Sequence, residues 1–143
     1  YEISNYSQRG YECLYNLNTW NNNHYLGIGT SASYYIDNKR YTNIKNTDKY
    51  FNCLDNNYIE HFEEEVLNKY DLMYEEIMLG LRKTCGINII QFNNKYDCDI
   101  FNKYPNINFL INNNLLILDD KKNLFIPNNK LYISNTIINK ILS

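Results

Sequence analysis

Between Asn68 and Lys83 the chain carries Leu72, Met73, Ile77, Met78, Leu79 and Leu81. On a helical period of 3.6 these apolar positions cover more than one stripe. Such a helix must be packed on from several sides, so the segment 69–83 is predicted to be the central, largely buried helix of the fold. Its ends are marked in the sequence. Asn68 is a capping residue with Asp71 three positions further on, the reciprocal capping-box arrangement. Arg82 and Lys83 complement the C-terminal dipole, and Gly86 follows as a stop.

The residues on either side obey different periods. Upstream, 1–6 reads as a short strand, and 11–26 is too aromatic and turn-rich for a regular helix. Two β-prone runs, Ser33 to Ile36 and Arg40 to Thr42, meet at Asp37 and Asn38, which tolerate positive φ, so a β-hairpin is expected. Thr47 or Asp48 can cap a short helix that turns Tyr50, Phe51 and Leu54 inward and ends at Asn56 and Asn57. A loop or short extended piece follows, with Glu63, Glu64 and Glu65 on its solvent side.

Downstream, Asn88 caps a helix to about Tyr96 that buries Ile89, Ile90 and Phe92. A second helix starts near Asp99 and is interrupted by Pro105. Leu115 to Leu118 and Asn123 to Ile126 form a second hairpin around the turn 119–122, and a last helix spans about 130–142. The expected class is α+β: an N-terminal extended, β-hairpin layer over 1–45, then a helical, winged-helix-like domain over 46–143.

Composition narrows the function classes. With 14 Lys and Arg against 16 Asp and Glu, the net charge of −2 gives no strong field of either sign. Neither a nucleic-acid arm nor a binder of anionic membranes is favoured. The longest apolar runs fall far short of the roughly 18–20 residues of a membrane span, so a cytoplasmic chain without a span is expected. Cys13, Cys53, Cys85 and Cys98 lie 40, 32 and 13 positions apart, which fits no zinc, thioredoxin-like or iron–sulfur loop and predicts free thiols. Position 1 is not Met and already sits in an expected strand, which reads as a cut boundary with an upstream part missing.

Few motifs carry chemistry. Gly27-Ile28-Gly29-Thr30-Ser31-Ala32 satisfies the Gly-x-Gly-x-x-Ala dinucleotide pattern, but a β-prone run follows where that fold needs a helix N-terminus. A tight backbone turn packed against a neighbour or ligand is the better reading. The winged-helix order invites a DNA-binding reading, yet the segment 99–113 offers Lys103 as its one cation and the second hairpin is not basic. Nucleic acid is therefore disfavoured, and a module that docks a protein is the alternative. His24 and His61 belong to no nucleophile or metal signature, and no catalytic or metal-ligating set is predicted.

Several blocks, in order, carry a resemblance: Tyr1-Glu2-Ile3-Ser4-Asn5-Tyr6, Gly10-Tyr11-Glu12-Cys13, Asn16-Leu17-x-x-Trp20, Tyr25-Leu26-Gly27-Ile28-Gly29, Arg40-Tyr41 and Glu75-Glu76-x-Met78-Leu79-Gly80-Leu81-Arg82-Lys83. Together they resemble the C-terminal part of the family of oxygen-independent coproporphyrinogen III oxidases and HemW-type haem chaperones, which are radical S-adenosylmethionine (SAM) proteins. The resemblance implies that residues 1–45 finish a radical SAM barrel. It places the [4Fe–4S] cluster and SAM in a missing upstream core, which is the implied partner, and leaves the present chain without catalytic activity of its own.

It also implies haem or a porphyrin as ligand, and a haem-acceptor protein as a further partner. The compact length and the Gly-Leu-Arg helix are more similar to the HemW-type branch. That branch carries His-Asn-x-x-Tyr-Trp, whereas this chain reads Tyr15-Asn16-Leu17-Asn18-Thr19-Trp20, with both the His and the Tyr replaced. The candidate cofactor-binding residues are therefore Tyr15, Asn16, Trp20, His24, Gly27 and Gly29. Tyr15, His24 or Cys13 would stand in as the iron ligand.

Overall fold

The computed structural model describes all residues, 1–143. It has the expected mixed α+β architecture, and the chain divides into two compact units, residues 23–72 and residues 1–22 with 73–143.

In the first unit, β1 (Ser33–Ile36), β2 (Lys39–Asn43) and β3 (His61–Val66) form an antiparallel sheet in the order β1-β2-β3, with α2 (Thr47–Asp55) between β2 and β3. The β1–β2 hairpin turns on Asp37 and Asn38, with φ of 51° and 60°, the backbone that a two-residue type I′ turn requires. Of the two alternatives for the Glu run, the extended one holds: it is the edge strand β3, with the acids exposed. It is held because its acids face cations on β2: Glu64 lies 3.0 Å from Lys39 and Glu65 3.6 Å from Arg40. Helix α2 is capped one residue earlier than expected, with Asn46 Oδ1 accepting the Lys49 N–H at 2.8 Å. Cys53 is its buried residue; Phe51 and Leu54, expected inside, are exposed.

Helix α3 (Lys69–Gly80) follows, and the boundary between the two units falls within it. Its N-terminus is the predicted capping box: Asn68 Oδ1 accepts from Tyr70 N at 2.8 Å, and Asp71 Oδ2 accepts from Asn68 N at 2.9 Å. It ends at Gly80, three residues early. Leu81, Arg82 and Lys83 form a tight turn, with Arg82 N donating to Leu79 O, so Arg82 is released from the helix surface.

In the second unit, helix α1 (Leu14–Trp20) lies where no regular helix was expected. Residues 1–6 make only a bridge, Glu2 to Lys83, with Ile3 N donating to Arg82 O at 3.0 Å. Beyond α3 come β4 (Ile87–Asn88), α4 (Ile89–Tyr96), α5 (Ile100–Lys103), α6 (Asn106–Asn112), β5 (Ile117–Leu118), β6 (Asn123–Phe125), a 3-10 turn over Asn128–Ile133 and α7 (Ser134–Leu142). The short strands pair in the order β4-β6-β5. Asn88 and Asp99 cap α4 and α5 as predicted. Ile90, expected inside, is exposed on α4. The core of this unit gathers Met73, Ile77, Leu81, Phe92, Ile107 and Leu124, all essentially inaccessible.

Candidate functional site

The most chemically loaded surface of the second unit lies where the chain leaving α3 meets α1. Trp20, the last residue of α1, has the Arg82 guanidinium over its ring, with Cζ 4.8 Å from the centroid. Neither Trp20 Nε1 nor Arg82 Nε has a hydrogen-bond partner, although both atoms are buried. Glu2, 1 % exposed, lies in the field of the same guanidinium. Burial pushes its carboxyl pKa up, but hydrogen bonds from Ser4 and Asn5 and the Arg82 charge outweigh that and hold it below its ordinary value. Lys83 is desolvated, which lowers its pKa against the opposing pull of Cys85 and Glu76, and its Nζ donates to Asn21 Oδ1 at the end of α1.

Of the predicted residues, α1 brings Tyr15, Asn16 and Trp20 onto one short element. Tyr15 is 58 % exposed, whereas Asn16 Nδ2 is turned back to donate to the Tyr1 hydroxyl at 3.3 Å.

His24, Gly27 and Gly29 belong to the first unit. His24 is exposed, its Nε2 accepts the Asp37 N–H at 3.3 Å, and its ring stands edge-on to Tyr35 at 5.6 Å. A nitrogen so engaged is not free for a metal. The glycines serve the backbone turn. A Cβ on Gly27 would come within 2.8 Å of the Ser33 carbonyl carbon, and Gly29 has a φ of 104°, which an L side chain rarely adopts. Asn43, buried on β2, clamps the turn: its Nδ2 donates to Gly27 O at 3.2 Å and to Gly29 O at 2.8 Å. Tyr50 from α2 accepts the Gly29 N–H at 3.1 Å. Asn43→Ala removes the donor to the Gly27 carbonyl and leaves Gly29 O with only the Ala32 N–H at 3.4 Å, and is expected to cost about 1–3 kcal/mol. Far-UV circular dichroism during thermal unfolding measures it.

This turn forms one wall of an apolar cavity of about 360 Å³, together with Leu26, Ile36, Leu54 and Ile59. The second unit has a cavity of about 370 Å³ lined by Trp20, Met78, Leu79, Arg82, Asn135, Ile138 and Asn139. Its polar partners Arg82, Asn135 and Asn139 were not among the predicted site residues. They lie 62 or more positions from Trp20 in the chain, and no local spacing links them to it.

His61 sits on the sheet among Tyr34 and Tyr41, its ring nitrogens 3.2 and 3.3 Å from the Tyr34 hydroxyl. All four cysteines are free thiols, and no group of three or more His, Cys, Asp or Glu side chains converges to hold a metal. The donors present do not fit an iron–sulfur cluster. Tyr15 offers an exposed phenol, a group able to ligate ferric haem iron.

An α+β chain with this order of helices and short strands falls into a known class. Residues 67–122 match the HemN C-terminal domain. The fold superposes on the coproporphyrinogen III oxidase HemN of Escherichia coli, a radical SAM enzyme, with a TM-score of 0.63 at 16 % identity, over 83 % of this chain and 28 % of that one. Over 99 % of its length the chain is 34 % identical to the heme chaperone HemW of Lactococcus lactis, and over 75 % it is 31 % identical to that of Bacillus subtilis. It belongs to the family of HemW-type haem chaperones and oxygen-independent coproporphyrinogen III oxidases, and corresponds to the family's C-terminal part. The chain spans 37 % of the length of the L. lactis protein and 28 % of the B. subtilis one. No helix is long and apolar enough to cross a membrane.

Proposed function

We propose that this chain is the C-terminal part of a HemW-like radical SAM protein that handles haem or a porphyrin in the cytoplasm. The observation that carries the reading is the alignment with a heme chaperone over 99 % of the chain. In this reading residues 1–45 complete a radical SAM barrel and 46–143 form the appended winged-helix-like domain. The core supplies the [4Fe–4S] cluster and SAM, and the haem passes to an acceptor protein. The exposure of Tyr6, Tyr11, Leu14, Leu26 and Ile28 supports a covering by further polypeptide, since so many bare apolar side chains within the first 45 residues are costly in water.

The haem contact assigned to this chain is α1. Tyr15 is its iron ligand, because its phenol is exposed while His24 Nε2 is occupied by the Asp37 amide. Asn16 and Trp20 flank it, and Gly27 and Gly29 shape a tight turn in the first unit. Titrating the chain with ferric haem tests this. A Soret shift is expected for the wild type and for His24→Ala, with affinity reduced about tenfold or more in Tyr15→Phe. No Soret shift in any form removes the local haem site, and an unchanged Tyr15→Phe spectrum removes Tyr15 as ligand.

A further inference from the structure

We infer that Arg82, backed by Glu2, is the positioning residue of α1: by gripping Trp20 at one end of the helix it fixes Tyr15 at the other. The grip stands on its own contacts, and its bearing on haem rests on the reading above.

Helix α1 does not hold itself. It has seven residues, no side-chain cap, no acid in its first turn and no buried residue. A helix of that length is marginal in water, so its order comes from contacts with the rest of the unit. The Arg82 guanidinium covers the Trp20 ring, Lys83 Nζ donates to Asn21 Oδ1 just past the helix end, and Asn16 Nδ2 reaches the Tyr1 hydroxyl. Leu14 and Tyr15, at the opposite end, are exposed.

Arg82 is in turn held by residues 1–3. Ile3 N donates to Arg82 O at 3.0 Å and Thr84 N to Tyr1 O at 3.1 Å, so the segment lies along the 82–84 turn as a short strap. The strap buries Glu2, whose carboxylate is kept ionised by Ser4 and Asn5 and offsets the Arg82 charge. With its charge met there, the guanidinium lays its flat face on the indole, which an ammonium could not do. Glu2, Arg82 and Trp20 thus link the strap to α1, and the link ends about one and a half helical turns from Tyr15.

Hydrogen exchange of the whole chain tests the grip without haem. In Arg82→Gln the Leu17 and Asn21 amides, bonded to Cys13 O and Leu17 O, should exchange about tenfold faster, while α4 and α7 keep their protection. Glu2→Gln should free the same amides in part. Trp20→Ala removes the contact from the α1 side, where no buried residue is at stake, and serves where Arg82→Gln does not fold. Arg82→Lys keeps the charge but not the flat face, and should restore only part of the protection. Trp20 is the one tryptophan, so its emission should move to the red in Arg82→Gln as the ring is uncovered. Full α1 protection in any of these folded variants, or an equal loss across α4 and α7, overturns the inference. Ferric-haem titration then reads whether the grip acts through Tyr15. Arg82→Gln should weaken haem about tenfold alone and no further in Tyr15→Phe, because nothing remains to be positioned once the ligand is gone. The same loss in both backgrounds overturns the inference. A wild type without a Soret shift overturns the haem reading alone, and hydrogen exchange still decides the grip.

Discussion

Gly86→Ala is expected to destabilise the unit of residues 1–22 and 73–143 by about 3 kcal/mol, the sum of two independent penalties. Gly86 has a φ of 68°, where an L side chain pays about 1–2 kcal/mol. The added methyl would also come within 2.7 Å of the Leu124 carbonyl carbon and of the Phe125 Cβ. Leu124 is wholly buried on β6, the middle strand of β4-β6-β5, so its backbone cannot yield without breaking pairing on both sides. Forced overpacking of this kind costs about 1–3 kcal/mol more. Urea unfolding followed by Trp20 emission reads the right unit, because Trp20 belongs to it. Gly10→Ala is the control: φ is 88° there, but nothing lies within 4 Å of the added Cβ. It should pay the backbone penalty alone, and equal midpoints for the two variants would refute the steric half of the argument.

Elements with local signals were legible in the sequence, and elements made by distant partners were not. Asn68 with Asp71, Asn88, and Asp99 each sit at the start of the helix they announce, because a cap is a contact within three residues. Asp37 with Asn38 fixes the first hairpin, since the turn needs positive φ at two adjacent residues. By contrast, α1 has seven residues, no side-chain cap and no buried residue of its own. A helix that short is marginal alone. Its last residue is held by Arg82, 62 positions later. The sequence leaves strand β3 between a loop and a short extended piece for a similar reason. Three successive acids oppose a strand on propensity, and the compensating Lys39 and Arg40 lie on another strand.

The candidate site divides along the same line. Tyr15, Asn16 and Trp20 form a compact block on α1, and Gly27 with Gly29 marks a turn on sequence alone. What the sequence does not reveal is the partner of each. Arg82 reads as a charge complementing the end of a helix, but the helix stops at Gly80 and the guanidinium is free to cover Trp20. Asn43 reads as one more asparagine in an asparagine-rich chain, yet burial makes it the clamp of the glycine turn. Both assignments depend on where a chain reversal delivers a side chain, which no periodicity encodes.

Phe92→Ala should have the largest effect of any single substitution considered, about 3–5 kcal/mol, the range for truncating a fully buried aromatic. Phe92 is inaccessible on α4, and its ring lies 4.8 Å from that of Tyr96, tilted by 57°. Truncation loses the transfer energy of the ring and leaves a cavity whose walls relax only in part. It also frees Tyr96, whose hydroxyl donates to Glu76 Oε2 at 2.8 Å, the same oxygen that Lys95 approaches at 2.5 Å. That three-residue link ties α4 to α3, so its loss adds to the packing penalty. Against a total domain stability of about 5–15 kcal/mol, that is a large fraction, and the urea midpoint should fall in proportion. Phe92→Leu keeps most of the volume and should cost under about 1.5 kcal/mol. Urea curves for the two variants, read by Trp20 emission and far-UV circular dichroism together, separate volume from the Tyr96 link. A Phe92→Leu curve as weak as that of Phe92→Ala would assign the effect to the aromatic pair, and one close to wild type would assign it to filled space.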